Sequence, residues 1–455
     1  MVKRRVAPML LAAALAALVS AQDRRAPNIV LIVADDLGYG DLGCYGQKVL
    51  RTPHIDRLAK EGLRFTDFYA GSTVCAPSRC VLMTGLHTGH CLIRGNGKQN
   101  LRPDDVTIAE VLKGAGYRTG CFGKWGIGHE ESDGLPTRQG FDAFFGYLDQ
   151  HQAHNYYPTF LIRNGKRVSL PNVVPKEGKW GQGVASKRVA YSHDLIVEEA
   201  LSFIDANKDD PFFLCLPVTI PHANNEAGKR GMEVPELGPF ADAPWPDPEK
   251  GFAAMVARLD RDVGRVRARI EKHGLAKRTL ILFTSDNGPH SEGGHRSGYF
   301  NSNGPLRGQK RDLLEGGIRV PLIAWWPGKT AGMTSHVADF TDLMPTLADL
   351  GGASSHLPKQ HDGVSFAPTL LGTPEDQKTR SHLYWAFYER GGAQAIRKGR
   401  WKAIQQPMKS SVRLYDLSTD LEEKTDLAGA QPELLAELTT LMNSSYTPSP
   451  RWRFK

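Results

Sequence analysis

The sequence predicts an α/β fold built on one large, mostly parallel sheet sandwiched between helices. Short apolar runs at 28–34, 211–218 and 279–284 are typical of strands that are buried on both faces. Residues 251–273 carry apolar side chains at helical spacing between the last two runs. Strands that alternate with helices favour a parallel sheet covered on both faces. In such sheets, ligands bind beyond the carboxyl ends of the strands.

Further segments continue this alternation up to about residue 375, where the pattern changes. Helices are predicted at 54–65, 104–115 and 193–206, and strands at 118–122 and 318–326. The remaining chain has short strand-like runs and one helix, at 383–388, 393–397, 401–404, 412–416 and 431–442. We therefore expect an α/β domain over 22–375 and a small antiparallel α+β subdomain over 376–455.

The N-terminus has the composition of an export signal. Three basic residues precede an apolar stretch at 7–19, and Ser20-Ala21 forms a small-residue cleavage site. We predict a cleaved signal peptide over 1–21 and a periplasmic or secreted mature chain. A retained membrane anchor is the alternative, but the apolar stretch is short for a bilayer, so no stable anchor is expected.

The net charge of the chain is compatible with an anionic substrate and too diffuse to indicate a nucleic acid. The formal charge of +8 falls to +5 once the three basic residues of the predicted signal peptide are left out. This bias is mild and spread along the chain, and no nucleic-acid-binding motif accompanies it. Nucleic acid is therefore excluded as an expected partner.

The cysteine content leaves the disulfide pattern open. Six cysteines at 44, 75, 80, 91, 121 and 215 would permit three disulfides in an exported protein. Cys80 and Cys91 are one conceivable bridge, whereas Cys215 lies in an apolar run and is most simply a small buried hydrophobe. No C-x-x-C spacing indicates a zinc or redox site.

The run Cys-Ala-Pro-Ser-Arg at 75–79 is the most specific stretch of the chain, and it is followed by Leu82 and Thr84-Gly85. On its residues alone, Cys75 could be a thiolate nucleophile, because a nearby cation such as Arg79 favours the charged thiolate.

Two acidic pairs follow predicted strands. Asp35-Asp36 comes directly after the strand at 28–34, and Asp286-Asn287 closes the strand at 279–284. Either pair alone would be read as a turn cap. Together, at the ends of two strands, they favour a site for a hard cation such as Ca²⁺ or Mg²⁺, which takes oxygen ligands.

Two lysines and a histidine are further candidate site residues. Lys124 is in Gly-Lys-Trp-Gly at 123–126, Lys310 is in a glycine-rich block at 306–321, and His222 follows Pro221 after a predicted strand. Each residue taken alone would be a solvated or structural side chain. Fixed cations at strand ends are, however, a direct way to stabilise negative charge that develops on a substrate.

The string C-x-P-S-R-x-x-L-x-T-G at 75–85 resembles the signature of the sulfatase family, within the alkaline phosphatase superfamily. The resemblance extends to both acidic pairs and both lysine blocks, in family order, from about 27 to 321. It implies an alkaline phosphatase-like fold and oxidation of Cys75 to formylglycine by a formylglycine-generating or anaerobic sulfatase-maturing enzyme. If Cys75 is modified, five cysteines remain and at least one is unpaired.

The resemblance also implies roles for individual residues. Asp35, Asp36, Asp286 and Asn287 would bind one divalent cation, usually Ca²⁺, together with the modified Cys75. Lys124 and Lys310 would grip the sulfate oxygens. Arg79 would orient the aldehyde hydrate, and His222 would be a catalytic acid or sulfate ligand.

One position departs from the family pattern. Sulfatases often carry a histidine two residues after the Gly-Lys-Trp lysine, where this chain has Gly126. That histidine is commonly assigned the proton abstraction that expels sulfate. His129, His151 or His154 could take its place, and His154 is the one favoured here.

The implied function is hydrolysis of sulfate esters, in an arylsulfatase A-like enzyme. The expected substrate is an aryl sulfate or a sulfated saccharide, such as a sulfated galactose or N-acetylgalactosamine unit. Three alternatives remain: a phosphonate monoester or phosphodiester hydrolase of the same superfamily, a non-catalytic sulfated-glycan-binding relative, and a hydrolase that uses an unmodified Cys75 thiol.

Overall fold

The computed structural model describes residues 26–454. Their strands form a ten-stranded sheet, a four-stranded sheet and a two-stranded ladder. The strands are β1 (Asn28–Ala34), β2 (Leu63–Phe65), β3 (Phe68–Tyr69), β4 (Arg118–Lys124), β5 (Ala143–Tyr147), β6 (Phe160–Arg163), β7 (Lys166–Ser169), β8 (Phe212–Pro217), β9 (Thr279–Ser285), β10 (Leu322–Trp325), β11 (Gly332–Thr334), β12 (Ala338–Asp339), β13 (Leu383–Phe387), β14 (Ala393–Lys398), β15 (Trp401–Gln405) and β16 (Arg413–Asp416). The α-helices are α1 (Pro53–Glu61), α2 (Cys75–Thr84), α3 (Ile108–Gly114), α4 (Ser192–Ala206), α5 (Asp247–Lys272), α6 (Glu315–Ile318), α7 (Leu343–Leu350), α8 (Ala367–Leu371) and α9 (Pro432–Ser444).

The large sheet has the order β11-β2-β10-β9-β1-β8-β4-β5-β6-β7. Its centre is parallel: β1 lies between β8 and β9, and β4 pairs with β8 and β5 in the same sense. The β10 strand and the β6–β7 edge run antiparallel to their neighbours. The predicted fold class, a mostly parallel sheet with helices, is confirmed.

Alternate residues of the central strands point into two separate cores. Val30 and Ile32 of β1 belong to one hydrophobic cluster, which contains residues of α1, α4 and α5. Leu31 and Val33 belong to the other, which contains residues of α2, α3, α7 and α8. Since successive side chains of a strand face opposite sides of a sheet, the sheet is covered by helices on both faces. This burial explains why β1 is apolar at every position from 29 to 34.

The C-terminal segment forms the antiparallel sheet β13-β14-β15-β16, with α9 packed on it. Its other face shares a hydrophobic cluster with Tyr69 and Val74, which precede α2. Trp385 Nε1 donates a hydrogen bond to the carbonyl of Ala70 (2.9 Å). The antiparallel subdomain is therefore present and packs against the segment that leads to Cys75. The boundary at 375/376 stays a prediction.

Several details differ from the sequence-based expectations. The edge hairpin β6–β7 and its neighbour β5 were not predicted, and residues 315–318 form the short helix α6 ahead of β10. All six cysteines are free thiols, so the conceivable bridge between Cys80 and Cys91 is not formed.

The predicted signal peptide over 1–21 lies outside the described residues. Within 26–454, none of the helices combines the length and apolar character that crossing a bilayer requires.

Candidate active site

Two neighbouring parallel strands deliver oxygen-bearing side chains to one edge of the sheet. Ala34 at the end of β1 pairs with Ser285 at the end of β9, so the residues after each strand meet. The backbone N–H of Asp36 donates to Asp286 Oδ1 (3.2 Å), and Asn287 Nδ2 donates to Asp36 Oδ1 (2.7 Å). A left-handed φ of 62° at Asp36 turns the chain sharply after β1. Both predicted acidic pairs therefore lie in one buried cluster.

The first residue of α2, Cys75, faces this cluster. Its Sγ lies 3.3 Å from Asp35 Oδ1. Arg79, one turn along the same face of the helix, donates from Nη2 to Asp35 (3.2 Å) and to Asp286 (2.9 Å). Burial, followed by the nearby Asp35 carboxylate, raises the pKa of the Cys75 thiol well above its usual value. The unmodified side chain is thus a protonated thiol near neutral pH, which is a poor nucleophile.

Lys124 and Lys310 approach the acids from two sides. Lys124, the last residue of β4, places Nζ 2.6 Å from Asp35 Oδ2. Lys310 Nζ lies 2.7 Å from Asp36 Oδ2. Burial disfavours both ammonium groups, but Asp35 and Asp36 outweigh it and raise the pKa of Lys124 and of Lys310. Two fixed positive charges therefore stand at the edge where Cys75 lies.

His222 completes this side of the cluster. Its Nδ1 donates to the carbonyl of Ala223 (2.7 Å), so Nε2 carries the lone pair of the neutral ring. Nε2 lies 3.0 Å from Lys310 Nζ and 3.4 Å from Asp36 Oδ2. Burial, then Lys310 and Lys124, holds the pKa of His222 well below its usual value.

Of the three histidines considered as substitutes at Gly126, one contacts the cluster. The ring of His154 stacks on that of His222, with centroids 4.7 Å apart and planes 13° from parallel. His151 is exposed, with 59% of its side chain accessible, and it pairs with Asp149. His129 packs its ring against Trp180. His154 is therefore the histidine that the fold brings beside His222.

The backbone and the surroundings of position 126 disfavour a histidine side chain. Gly126 has a φ of 78°, a backbone conformation that residues other than glycine rarely adopt. A Cβ at this position would lie 2.5 Å from Nε2 of Gln150. The side chain of Gln150 thus occupies the space that a residue 126 side chain would need.

The acidic cluster has the chemistry of a cation site. Asn287 Oδ1 is buried without a hydrogen-bond partner among residues 26–454. Burial, followed by repulsion from Asp35, raises the pKa of Asp286 to about 7. An unpartnered amide oxygen beside crowded carboxylates fits a divalent cation that prefers oxygen ligands. Potential ligand atoms within 4.8 Å of one another belong to Asp35, Asp36, Cys75 and His222.

The structure adds site residues that sequence reasoning did not assign. Glu292 accepts hydrogen bonds from Lys310 (3.2 Å) and from Arg311. Asn96 Oδ1 accepts the backbone N–H of Ala76, next to the cysteine. Glu226 contacts His154. Glu226 and Glu292 lie in segments that follow strands β8 and β9, which was the available signal, since such segments carry ligand-binding residues in parallel α/β sheets. Asn96 lies after helix α2 and had no such signal.

Family profiles and curated relatives match most of this chain. The profile of the sulfatase family matches residues 27–353, and that of the C-terminal region of N-sulphoglucosamine sulphohydrolase matches residues 308–445. The chain is 36% identical to human arylsulfatase A, over 92% of this chain and 87% of that protein. It is 30% identical to N-acetylgalactosamine-6-O-sulfatase of Bacteroides thetaiotaomicron, over 94% of each.

A solved structure is similar to this chain in three dimensions. The crystal structure of Ps i-CgsB in complex with k-i-k-neocarrahexaose superimposes with a TM-score of 0.79 at 30% identity, and the alignment covers 95% of each chain. The family profile spans most of the chain, and the curated relatives align along nearly its whole length. The chain belongs to the sulfatase family and is a sulfuric ester hydrolase.

Proposed function

We propose that this sulfatase hydrolyses carbohydrate sulfate esters through a formylglycine made from Cys75, with one divalent cation at the adjoining acids. The observation that carries the proposal is the position of Cys75. Its Sγ lies 3.3 Å from Asp35 Oδ1, and Arg79 and Lys124 contact the same carboxylate. A buried, protonated thiol is a poor nucleophile and is not activated by these charges. A hydroxyl-bearing group at this position would face both a cation site and two ammonium groups.

The residues around Cys75 fit the modified side chain. A hydrated formylglycine supplies one hydroxyl that attacks sulfur and a second whose deprotonation releases sulfate. Arg79 already donates to both Asp35 and Asp286, so its guanidinium is fixed beside position 75. Modification requires a formylglycine-generating or anaerobic sulfatase-maturing enzyme as a partner, and the setting we propose is periplasmic or secreted.

The cation we propose is Ca²⁺, held by Asp35, Asp36, Asp286 and Asn287 together with the modified residue 75. The supporting observations are the unpartnered Asn287 Oδ1 and the raised pKa of Asp286, which both call for a positive partner. Such an ion would lower the pKa of a hydroxyl bound to it and hold it towards the substrate.

The remaining side chains have roles that follow from their charges and positions. Lys124 and Lys310 stabilise the negative charge that develops on the sulfate oxygens in the transition state. Lys310 carries the proton that passes to the leaving alcohol oxygen, and the neutral ring of His222, whose Nε2 lies 3.0 Å from Lys310 Nζ, holds the ammonium in place. His154, stacked on His222, is the base that Gly126 cannot provide.

The substrate we propose is a sulfated galactose or N-acetylgalactosamine unit of a saccharide. The proposal is supported by relatives named N-acetylgalactosamine-6-sulfatase and by the similar structure that holds a neocarrahexaose. A small aryl sulfate should also be turned over, because the charged groups described here engage the sulfate rather than the alcohol.

Activity on paired esters tests this function. We expect enzyme co-expressed with a maturing enzyme to release sulfate from 4-nitrocatechol sulfate and from sulfated galactosides, with little turnover of phenyl phosphonates. Cys75→Ala should abolish turnover. Cys80 is a buried thiol of the same helix that does not contact Asp35 or Asp286, so Cys80→Ala should retain turnover. Preference for the phosphorus ester would favour a phosphonate monoester or phosphodiester hydrolase instead. Binding of sulfated glycans without turnover would indicate a non-catalytic relative.

A further inference from the structure

Glu226 contacts the ring edge of His154, whereas His222 stacks on the ring face. Its two carboxylate oxygens are 3.3 Å and 3.4 Å from His154 Nδ1. The side chain of His154 is 12% accessible and that of Glu226 is 28% accessible, so the contact is partly shielded from water. We propose that Glu226 is a positioning residue that fixes the orientation and tautomer of His154, an inference that rests on the proposed function of this site.

Glu226 is itself held by a network that does not involve the substrate. The Asn224 side chain caps the short 3₁₀ segment at 225–230, and its Oδ1 accepts the backbone N–H of Glu226 (3.2 Å). Asn224 is fully buried, and its Nδ2 donates to Glu233 Oε2 (2.8 Å) and to the carbonyl of Gly183 (3.0 Å). The segment that carries Glu226 is therefore anchored at its first residue, which limits where the carboxylate can go.

A face of the imidazole is constrained as well. His154 lies flat on His222, whose Nδ1 is in turn fixed by the carbonyl of Ala223. One ring face is thus held by stacking and one ring nitrogen by a carboxylate. Because a carboxylate only accepts hydrogen bonds, Nδ1 of His154 carries the proton that is donated to Glu226.

This tautomer leaves the other nitrogen available. Nε2 of His154 makes no hydrogen bond to any other residue of the segment 26–454, and in the Nδ1–H tautomer it carries a lone pair. A carboxylate behind an imidazole selects this tautomer and stabilises the imidazolium that forms when the far nitrogen takes a proton. Glu226 therefore gives His154 the two properties of a base: an oriented lone pair and a counter-charge for the protonated ring.

The charged groups around His154 oppose one another. Burial and the ammonium groups of Lys124 and Lys310 lower the pKa of His154, whereas the Glu226 carboxylate raises it. His151, with its ring 5.8 Å away, and His222 are the other titratable neighbours. Removing the charge of Glu226 while keeping its shape should therefore weaken His154 as a base without emptying the site.

The test compares Glu226→Gln, Glu226→Asp and Glu226→Ala in formylglycine-bearing enzyme, with 4-nitrocatechol sulfate as substrate. We expect Glu226→Gln to lower kcat about 10- to 100-fold with KM within about threefold, since it acts through a residue rather than on substrate. The acid limb of the kcat/KM profile should move to lower pH. Glu226→Asp should recover part of the loss, and Glu226→Ala should be the slowest.

Two controls separate this inference from a folding defect and from failure of the function itself. Glu236→Gln removes an exposed carboxylate, 74% accessible, from the neighbouring segment and should leave both kcat and the pH profile unchanged. His154→Ala should reduce kcat at least as much as Glu226→Ala. Thermal unfolding of every variant should match that of the parent.

The outcomes that overturn the inference are distinct. A Glu226→Gln enzyme with unchanged kcat and pH profile, beside an inactive His154→Ala enzyme, would show that Glu226 does not position the histidine. A raised KM with unchanged kcat would assign Glu226 to substrate binding instead. Absence of sulfate release by the parent enzyme would overturn the proposed function itself, and is recognised before any variant is made.

Discussion

At the scale of single residues, Lys310 shows how the site couples charge to position. Its ammonium contacts Asp36, Glu292 and His222 at once, and it is 5% exposed. The ammonium is desolvated in this position, and a water molecule in its place would stabilise a negative charge on the substrate less.

We therefore expect Lys310→Ala to lower kcat/KM for an aryl sulfate by about 10²- to 10³-fold, because a donor to the developing charge is lost. Steady-state kinetics of the formylglycine-bearing variant measure this. Lys329→Ala, which removes a lysine from an exposed turn after β10, is the matched control. Loss of less than about threefold would mean that Lys310 serves the packing of the acids rather than the reaction.

Gly126 gives a second prediction at this scale. Restoring the family histidine with Gly126→His should not raise kcat, because the residue has a φ of 78° and Gln150 fills the space. We expect instead a loss of stability of about 1–2 kcal/mol, seen as a lower midpoint of urea unfolding. The double variant Gly126→His/Gln150→Ala should regain part of it. A single variant that is both stable and faster would contradict the account of this position.

This position also shows what sequence reasoning reaches and what it does not. The missing histidine was evident from the Gly-Lys-Trp-Gly string. The reason for it was not, because Gly126 and Gln150 meet only through the fold, and the contact of His154 with His222 joins residues 68 positions apart. Motifs predict which residue types gather at a site, but not which side chains touch.

At the scale of elements, the paired ends of β1 and β9 bring together the residues of the proposed cation site. The two acidic pairs at strand ends were predictable, because each follows an apolar run, whereas the pairing of Ala34 with Ser285 comes from the fold. Removal of divalent cations by a chelator should therefore abolish sulfate release, and Ca²⁺ should restore it. Asn287→Ala should raise the Ca²⁺ concentration for half-maximal activity about 10- to 100-fold.

The exposed variant Asp133→Asn is the control for that titration, since its side chain is 62% accessible and lies outside the cluster. Full activity after exhaustive chelation, with no metal found by elemental analysis, would contradict the proposed cation.

The edge of the sheet illustrates an element that was missed despite a readable signal. The hairpin β6–β7 turns at Asn164-Gly165, where both residues have positive φ (48° and 82°). Asn-Gly between two short polar-apolar runs is a strong hairpin signal. The strand β7 is largely exposed and therefore lacks the apolar run that revealed the central strands.

At the scale of the whole molecule, one buried lysine links the C-terminal sheet to helix α6. Lys402 of β15 is completely buried and pairs with Glu315 of α6 (2.8 Å) and with Glu423 (3.0 Å). Glu315 precedes β10 and also accepts from Tyr69 (2.6 Å), which is close in sequence to Cys75. The C-terminal sheet is thus tied by charge to the segment that carries the active-site helix. Sequence patterns cannot reveal the pair of Lys402 and Glu315, since its members are 87 residues apart and belong to different elements.

Lys402→Met should therefore destabilise the protein by about 3–5 kcal/mol, because it leaves two carboxylates buried without their cation. Lys398→Met, on the same sheet, breaks an exposed pair with Glu437 and should cost at most about 1 kcal/mol. Urea unfolding compares the two variants. Equal midpoints would mean that the buried pair does not hold the sheets together.

The central claim is that Cys75 acts as formylglycine rather than as a thiol. Peptide mass spectrometry of residue 75, made on the same preparations in which sulfate release is assayed, tests it most directly. The account predicts that turnover rises in proportion to the fraction of formylglycine when the level of maturing enzyme is varied. Fully active enzyme with an intact Cys75 thiol would contradict it.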